Sequence, residues 1–186
     1  MAGIRDGDAA TQELLTAAIE ASEPLAAWNR AIRLLGYRER SRGELTARLE
    51  EDGYPQPIID QTLARLVQEA YLDDARFADA YVRAKRAAGW GRRRITGGLA
   101  TRGVAPDIAA RALDTHAPEN EEAVRARDAI AGIDTATRPG AARAMRRLVT
   151  RGFSYDTARS ALRQERDASG ATAVPPVAAS RKGGPR

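Results

Sequence analysis

Apolar residues recur through most of this chain at intervals of three and four, the spacing that lines one side of a helix. Leu25, Trp28, Ile32 and Leu35 form the first stripe, Leu45 and Leu49 the next, and Ile59, Leu63, Leu66 and Val67 a third. The pattern resumes with Phe77, Ala78, Tyr81 and Val82, then Ile95 and Leu99, then Ile108, Ala109, Ala112 and Leu113. A last round is sparser: Val124, Ile130 and Ile133, then Ala144, Met145, Leu148 and Val149, then Ala158 and Leu162. The expected fold class is all-α.

These stripes repeat as a set. With Ser41, Gly91 and Gly140 as origins, a small or apolar residue follows at the fourth and eighth positions, a glycine at the twelfth and a leucine at the twenty-second. The first copy reads Leu45, Leu49, Gly53 and Leu63, the second Ile95, Leu99, Gly103 and Leu113, the third Ala144, Leu148, Gly152 and Leu162. Such a period marks supersecondary units stacked so that neighbours cover each other's apolar faces. The expected architecture is three tandem three-helix repeats, over residues 24–71, 72–117 and 118–166, in an elongated, curved array. Residues 1–23 are read as a flexible acidic tail with a short helix over Thr11 to Ile19, and 167–186 as a disordered basic tail.

Punctuation residues support these boundaries. Pro24 and Pro106 suit the first turn of a helix. Ser41 and Glu44 have the spacing of a capping box, and Ser154 is a good N-cap. Asp73 is read as the N-cap of a helix, with Asp74 at its positive end and Leu72 stapled onto Phe77. This assignment also accounts for two adjacent carboxylates that would otherwise invite a metal or acid/base reading. Gly53, Gly103 and Gly152 suit left-handed residues that close helices. Gly97 and Gly98 interrupt a helix, and the sequence leaves open whether they admit a close neighbour or merely weaken it.

Composition narrows the function. The chain has 186 residues, 43% hydrophobic, no Cys and one His, and a formal charge of +5. Without cysteine there is no disulfide, thiolate catalysis or Cys-ligated zinc. No apolar run is long enough to span a membrane and no basic-then-apolar leader opens the chain, so a cytoplasmic protein is expected. The positive charge gathers in the middle repeat: Arg83, Lys85, Arg86, Arg92, Arg93, Arg94, Arg102 and Arg111 face Asp107 alone over residues 81–111. Such a stretch can meet phosphates, an acidic protein surface, or only water. Arg92, Arg93 and Arg94 fall in the first turn of a helix, where cations oppose the dipole. A placement of that kind calls for a compensating partner, which makes the cluster the leading functional candidate.

The stretches LLGYRERSRGELTARL (34–49), LDDARFADAYV (72–82), GRRRITGGLATRGV (91–104) and RGFSYDTARSAL (151–162), taken in order, resemble the RecX family of recombinase regulators. Gly98 stands where the family usually carries a glutamate, so no role resting on a carboxylate carries over there. The resemblance implies a protein that lies in the groove of the RecA nucleoprotein filament; a monomer without enzymatic activity is expected. There it would inhibit ATP hydrolysis, strand exchange and filament growth. It also implies sequence-nonspecific contact with single- and double-stranded DNA. Arg83, Lys85, Arg86, Arg92, Arg93, Arg94 and Arg102 are the candidate recombinase or DNA contacts. A competing reading makes each repeat a helix-turn-helix reader of duplex DNA. Against it, the helix from Pro106 to Thr115 carries small and apolar residues (Ile108, Ala109, Ala110, Ala112, Leu113) with one arginine, and is poor in side chains able to read bases. An enzyme is disfavoured: no phosphate-loop spacing, Ser-His-Asp set or metal-ligand cluster is present, and no cofactor is implied.

Overall fold

A computed structural model describes the backbone of residues 6–171 and the side chains of residues 22–168. The first five residues of the acidic tail and residues 172–186 of the basic tail lie outside the described residues. Among the described residues there are nine α-helices and no strand: α1 (Asp6–Tyr37), α2 (Arg42–Glu51), α3 (Gln56–Gln68), α4 (Asp74–Ala87), α5 (Arg92–Ala100), α6 (Pro106–His116), α7 (Glu122–Ile130), α8 (Arg138–Arg151) and α9 (Tyr155–Ala171). A single 3₁₀ turn, Glu119–Glu121, precedes α7. The all-α expectation holds. One correction concerns α1, which runs through Pro24 rather than starting there. The alanine-rich stretch before the proline has high helix propensity, which offsets the backbone hydrogen bond missing at that position.

The periodic marks lie where the pattern puts them. Leu45, Leu49, Leu63, Ile95, Leu99, Leu113, Ala144, Leu148 and Leu162 are all buried. Gly53, Gly103 and Gly152 have φ of 88°, 68° and 86°, the left-handed region that a side chain disfavours. The residues beside these marks are less regular. Leu25, Val67, Val124 and Val149 face solvent instead of the core, because Ala27, Leu66, Ala126 and Leu148 occupy the inward positions next to them. Tyr81 is only half-buried, its ring stacked on Phe77 with centroids 6.0 Å apart.

The chain divides into two compact units. The first comprises the residues up to Ala87 together with Ile95–Ala117, the second Ala88–Arg94 together with the chain from Pro118. In the first unit α1 packs on α2 and α3, and α4 packs on α6. One core cluster there holds Ala31, Leu34, Leu45, Leu49, Ile59, Leu63, Leu66 and Leu72, flanked by Trp28, Ile32, Leu35 and Tyr54. In the second unit α7, α8 and α9 enclose Ala126, Ile130, Ala144, Leu148, Phe153, Ala158, Ala161 and Leu162. The division falls within α5, whose first turn belongs to the second unit.

Candidate functional site

The first turn of α5 carries the arginine cluster, and its surroundings explain how three cations are tolerated there. The backbone N–H of Arg92 donates to the Glu122 carboxylate at 2.8 Å. Glu122 is 7% exposed, at the start of α7. A carboxylate accepting from an orphan amide caps the helix and complements its dipole at once. Gly91 donates its N–H to the Arg151 carbonyl at 2.8 Å, and Arg125 donates to the Trp90 carbonyl at 2.8 Å. The compensating partner expected for the cluster is therefore an acidic residue of the same chain, one that the sequence pattern does not single out.

The three guanidinium groups then differ in their freedom. The Arg94 guanidinium carbon lies over the Trp90 ring, 3.9 Å from its centroid, and the side chain donates to the Thr150 carbonyl at 3.2 Å. Arg92 is half-buried, whereas Arg93 is exposed and has no hydrogen bond or ion pair among the described residues. Trp90 itself is half-buried, although its place between two glycines allows full exposure.

The other candidates sit in the first unit. Arg83 is exposed on α4, 3.5 Å from the His116 ring, whose Nε2 lies 3.2 Å from Asp79. Lys85 is 5.3 Å from the centroid of the Tyr81 ring, and Arg86 is half-buried in the last turn of α4. Arg102 is held in place: it pairs with Glu44 at 3.3 Å, donates to the Gly98 carbonyl at 2.8 Å and lies 4.8 Å from the centroid of the Tyr81 ring. Its own carbonyl accepts from the Ser41 hydroxyl at 2.5 Å. The side chain of Arg102 thus joins α4, α5 and the start of α2.

Around Ser41 the expected capping box is present and extended. The Ser41 hydroxyl accepts from the Glu44 N–H at 3.2 Å. Burial pushes the Glu44 carboxyl up, but the hydrogen bond and charge of Arg38, the charge of Arg102 and the Ser41 backbone outweigh it and hold the group below its ordinary value. The adjacent pair at the start of α4 acts as caps. Asp73 accepts from the N–H groups of Ala75 and Arg76 at 2.8 and 3.0 Å, and Asp74 accepts from the Arg42 N–H at 2.7 Å. Gly98 leaves room for the Tyr81 hydroxyl, which any added Cβ would strike, while the space beside Gly97 is open. A neighbour's approach is thus the reason for one glycine and not for the other.

Among the described residues no group of three or more His, Asp or Glu side chains could hold a metal ion, and no helix is long and apolar enough to cross a membrane. A cleft of about 560 Å³ beside α2 is lined by Arg40, Glu44, Arg48, Glu51 and Arg102, a mixture of both signs. Desolvation depresses the Arg40 guanidinium, helped by the charge of Arg38.

Comparison with known proteins agrees. Residues 27–66 match the model of the first RecX three-helix domain and residues 73–113 that of the second. A regulatory protein RecX of Chromohalobacter salexigens is 37% identical over 136 residues, covering 71% of this chain and 88% of the relative. One from Ectopseudomonas mendocina is 42% identical over 82 residues, covering 44% of this chain and 55% of that protein. The crystal structure of RecX from Lactobacillus salivarius superposes with a TM-score of 0.69 at 23% identity, over 80% of this chain and 99% of that one. That last likeness is one of fold, and the longer sequence match extends it to descent: the chain belongs to the RecX family of regulatory proteins.

Proposed function

We propose that the protein regulates the RecA recombinase by binding its nucleoprotein filament, lying in the filament groove and inhibiting ATP hydrolysis, strand exchange and filament growth. Membership of a family of regulatory proteins carries this reading. The cationic side chains of α4 and of the start of α5 support it by offering contacts to an acidic protein surface or to DNA phosphates. Arg83, Lys85, Arg86 and Arg93 are the contacts, while Arg92 and Arg94 hold the turn that presents Arg93. Arg102 is a positioning residue. Linking several weak contacts along a polymer raises the effective concentration for each next contact, so modest individual affinities suffice.

The test is ATP hydrolysis by the cognate recombinase on single-stranded DNA with this protein added below equimolar amounts. Inhibition is expected, and R92A/R93A/R94A should weaken it at least several-fold while keeping its helical circular-dichroism signal. Full hydrolysis in the presence of folded wild-type protein would refute the function. Undiminished inhibition by the folded triple variant would remove the cluster from the mechanism.

A further inference from the structure

Helix α8 enters the repeat pattern only through its core marks, yet it carries Arg138, Arg143, Arg146, Arg147 and Arg151 and no acidic residue. Arg143, Arg146 and Arg147 are spaced i, i+3 and i+4, which places them together on one side of the helix. That side lies away from Ala144 and Leu148, which are fully buried. All three arginines are exposed, and none has a hydrogen bond, ion pair or ring contact among the described residues. Arg138, in the first turn, is exposed and unpaired among those residues as well.

We infer that this face of α8 is a binding surface for the phosphate backbone of nucleic acid, separate from the candidates on α4 and α5. Unscreened guanidinium groups on one helix face repel one another and gain from a polyanion that approaches along the axis. Arg143 and Arg147 stand about 6 Å apart along that axis, four residues at the helical rise. The remaining exposed residues of the helix are Pro139, Ala142, Val149 and Thr150. They include no aromatic anchor of the kind that dominates protein–protein interfaces, and no amide side chain suited to a base edge. What remains is charge alone, which positions a backbone without reading its sequence.

The experiment is fluorescence anisotropy of labelled duplexes of two unrelated sequences, over a salt series and without recombinase, so its outcome does not depend on the filament reading. For R143A/R146A/R147A the dissociation constant should rise at least about tenfold, and the salt slope should shrink by about 0.9 for each phosphate no longer neutralised. R143K/R146K/R147K, which keeps the point charges, should retain most of the affinity. R65A, which removes an arginine already paired with Glu69 at 2.7 Å, should leave it unchanged. Circular dichroism checks that each variant keeps its helices. Affinity and slope unchanged in the folded alanine variant would overturn the assignment. So would intact DNA binding combined with abolished binding to DNA-free recombinase, because the face would then dock protein instead.

Discussion

The two units build the same junction from different atoms. In the first, the Ser41 hydroxyl donates to the Arg102 carbonyl, and the Arg42 amide is capped by Asp74. In the second, the Gly91 amide donates to the Arg151 carbonyl, and the Arg92 amide is capped by Glu122. The capping acids lie 32 and 30 residues beyond the amides they serve. Both junctions thus join the start of one helix to a carbonyl at the end of another in the same repeat register. They satisfy groups that a helix terminus otherwise leaves to water. The use of charge differs. In the first unit Arg30, Arg38, Arg48, Arg65, Arg76, Arg102 and Arg111 each pair with a carboxylate. On α8 of the second, Arg143, Arg146 and Arg147 pair with none among the described residues. A shared scaffold therefore need not present the same surface. The density of arginine along the sequence is a poor guide to where positive charge is available.

The strongest test of the common register is steric. A Cβ on Gly152 would meet the Arg94 backbone nitrogen at 2.6 Å, and its φ of 86° already excludes most side chains. Strain and overlap together should make Gly152→Ala cost about 2–5 kcal/mol. Gly43 has ordinary backbone geometry, but its Cβ would lie 2.6 Å from the Arg102 carbonyl, so Gly43→Ala should cost about 1–3 kcal/mol. Urea unfolding of the two variants measures both costs. A neutral result at either position would mean that the helix ends in that unit do not approach so closely.

A smaller effect concerns the first unit and depends on pH. Glu44 titrates below its ordinary value in the folded chain, so the unfolded chain binds the extra proton first. The stability it contributes is complete above the ordinary range of a free glutamate carboxyl and is lost as pH falls through the lower folded value. Asp52, lowered first by the hydrogen bond from Arg30, acts in the same sense in the same unit. Urea midpoints followed from pH 6 to pH 3 should therefore fall less steeply for Glu44→Gln than for the wild type. Identical slopes would show that the Arg38–Glu44–Arg102 network carries no net stability.

Much of the fold is legible in the sequence because burial follows position in the repeat. Ala144 stands where the other copies carry leucine and isoleucine, and it is nonetheless fully buried. Side chains beside the stripe are not legible in this way. Val149 follows buried Leu148 and is 50% exposed, since apolar character alone does not choose between adjacent faces. The candidate site is legible as charge but not as pairing. The oddity of arginines at a helix start is visible, and so is the need for a partner. Glu122 cannot be singled out, because a carboxylate bonded to a backbone amide leaves no matched side chain in the sequence. The parallel shows only once both junctions are known, with Asp74 lying 32 residues beyond Arg42 and Glu122 30 beyond Arg92.

That buried carboxylate is where the reading of the arginine cluster can be tested most directly. Amide hydrogen exchange should show the Arg92 N–H protected in the wild type and exchanging at least about tenfold faster in Glu122→Ala, as expected when one helix cap is removed. The Arg42 N–H, capped by Asp74, should keep its protection in that variant and serve as the internal control. Rapid exchange at Arg92 in the wild type, or a rate indifferent to the substitution, would contradict the internal cap. The first turn of α5 would then depend on an anion supplied from outside the chain.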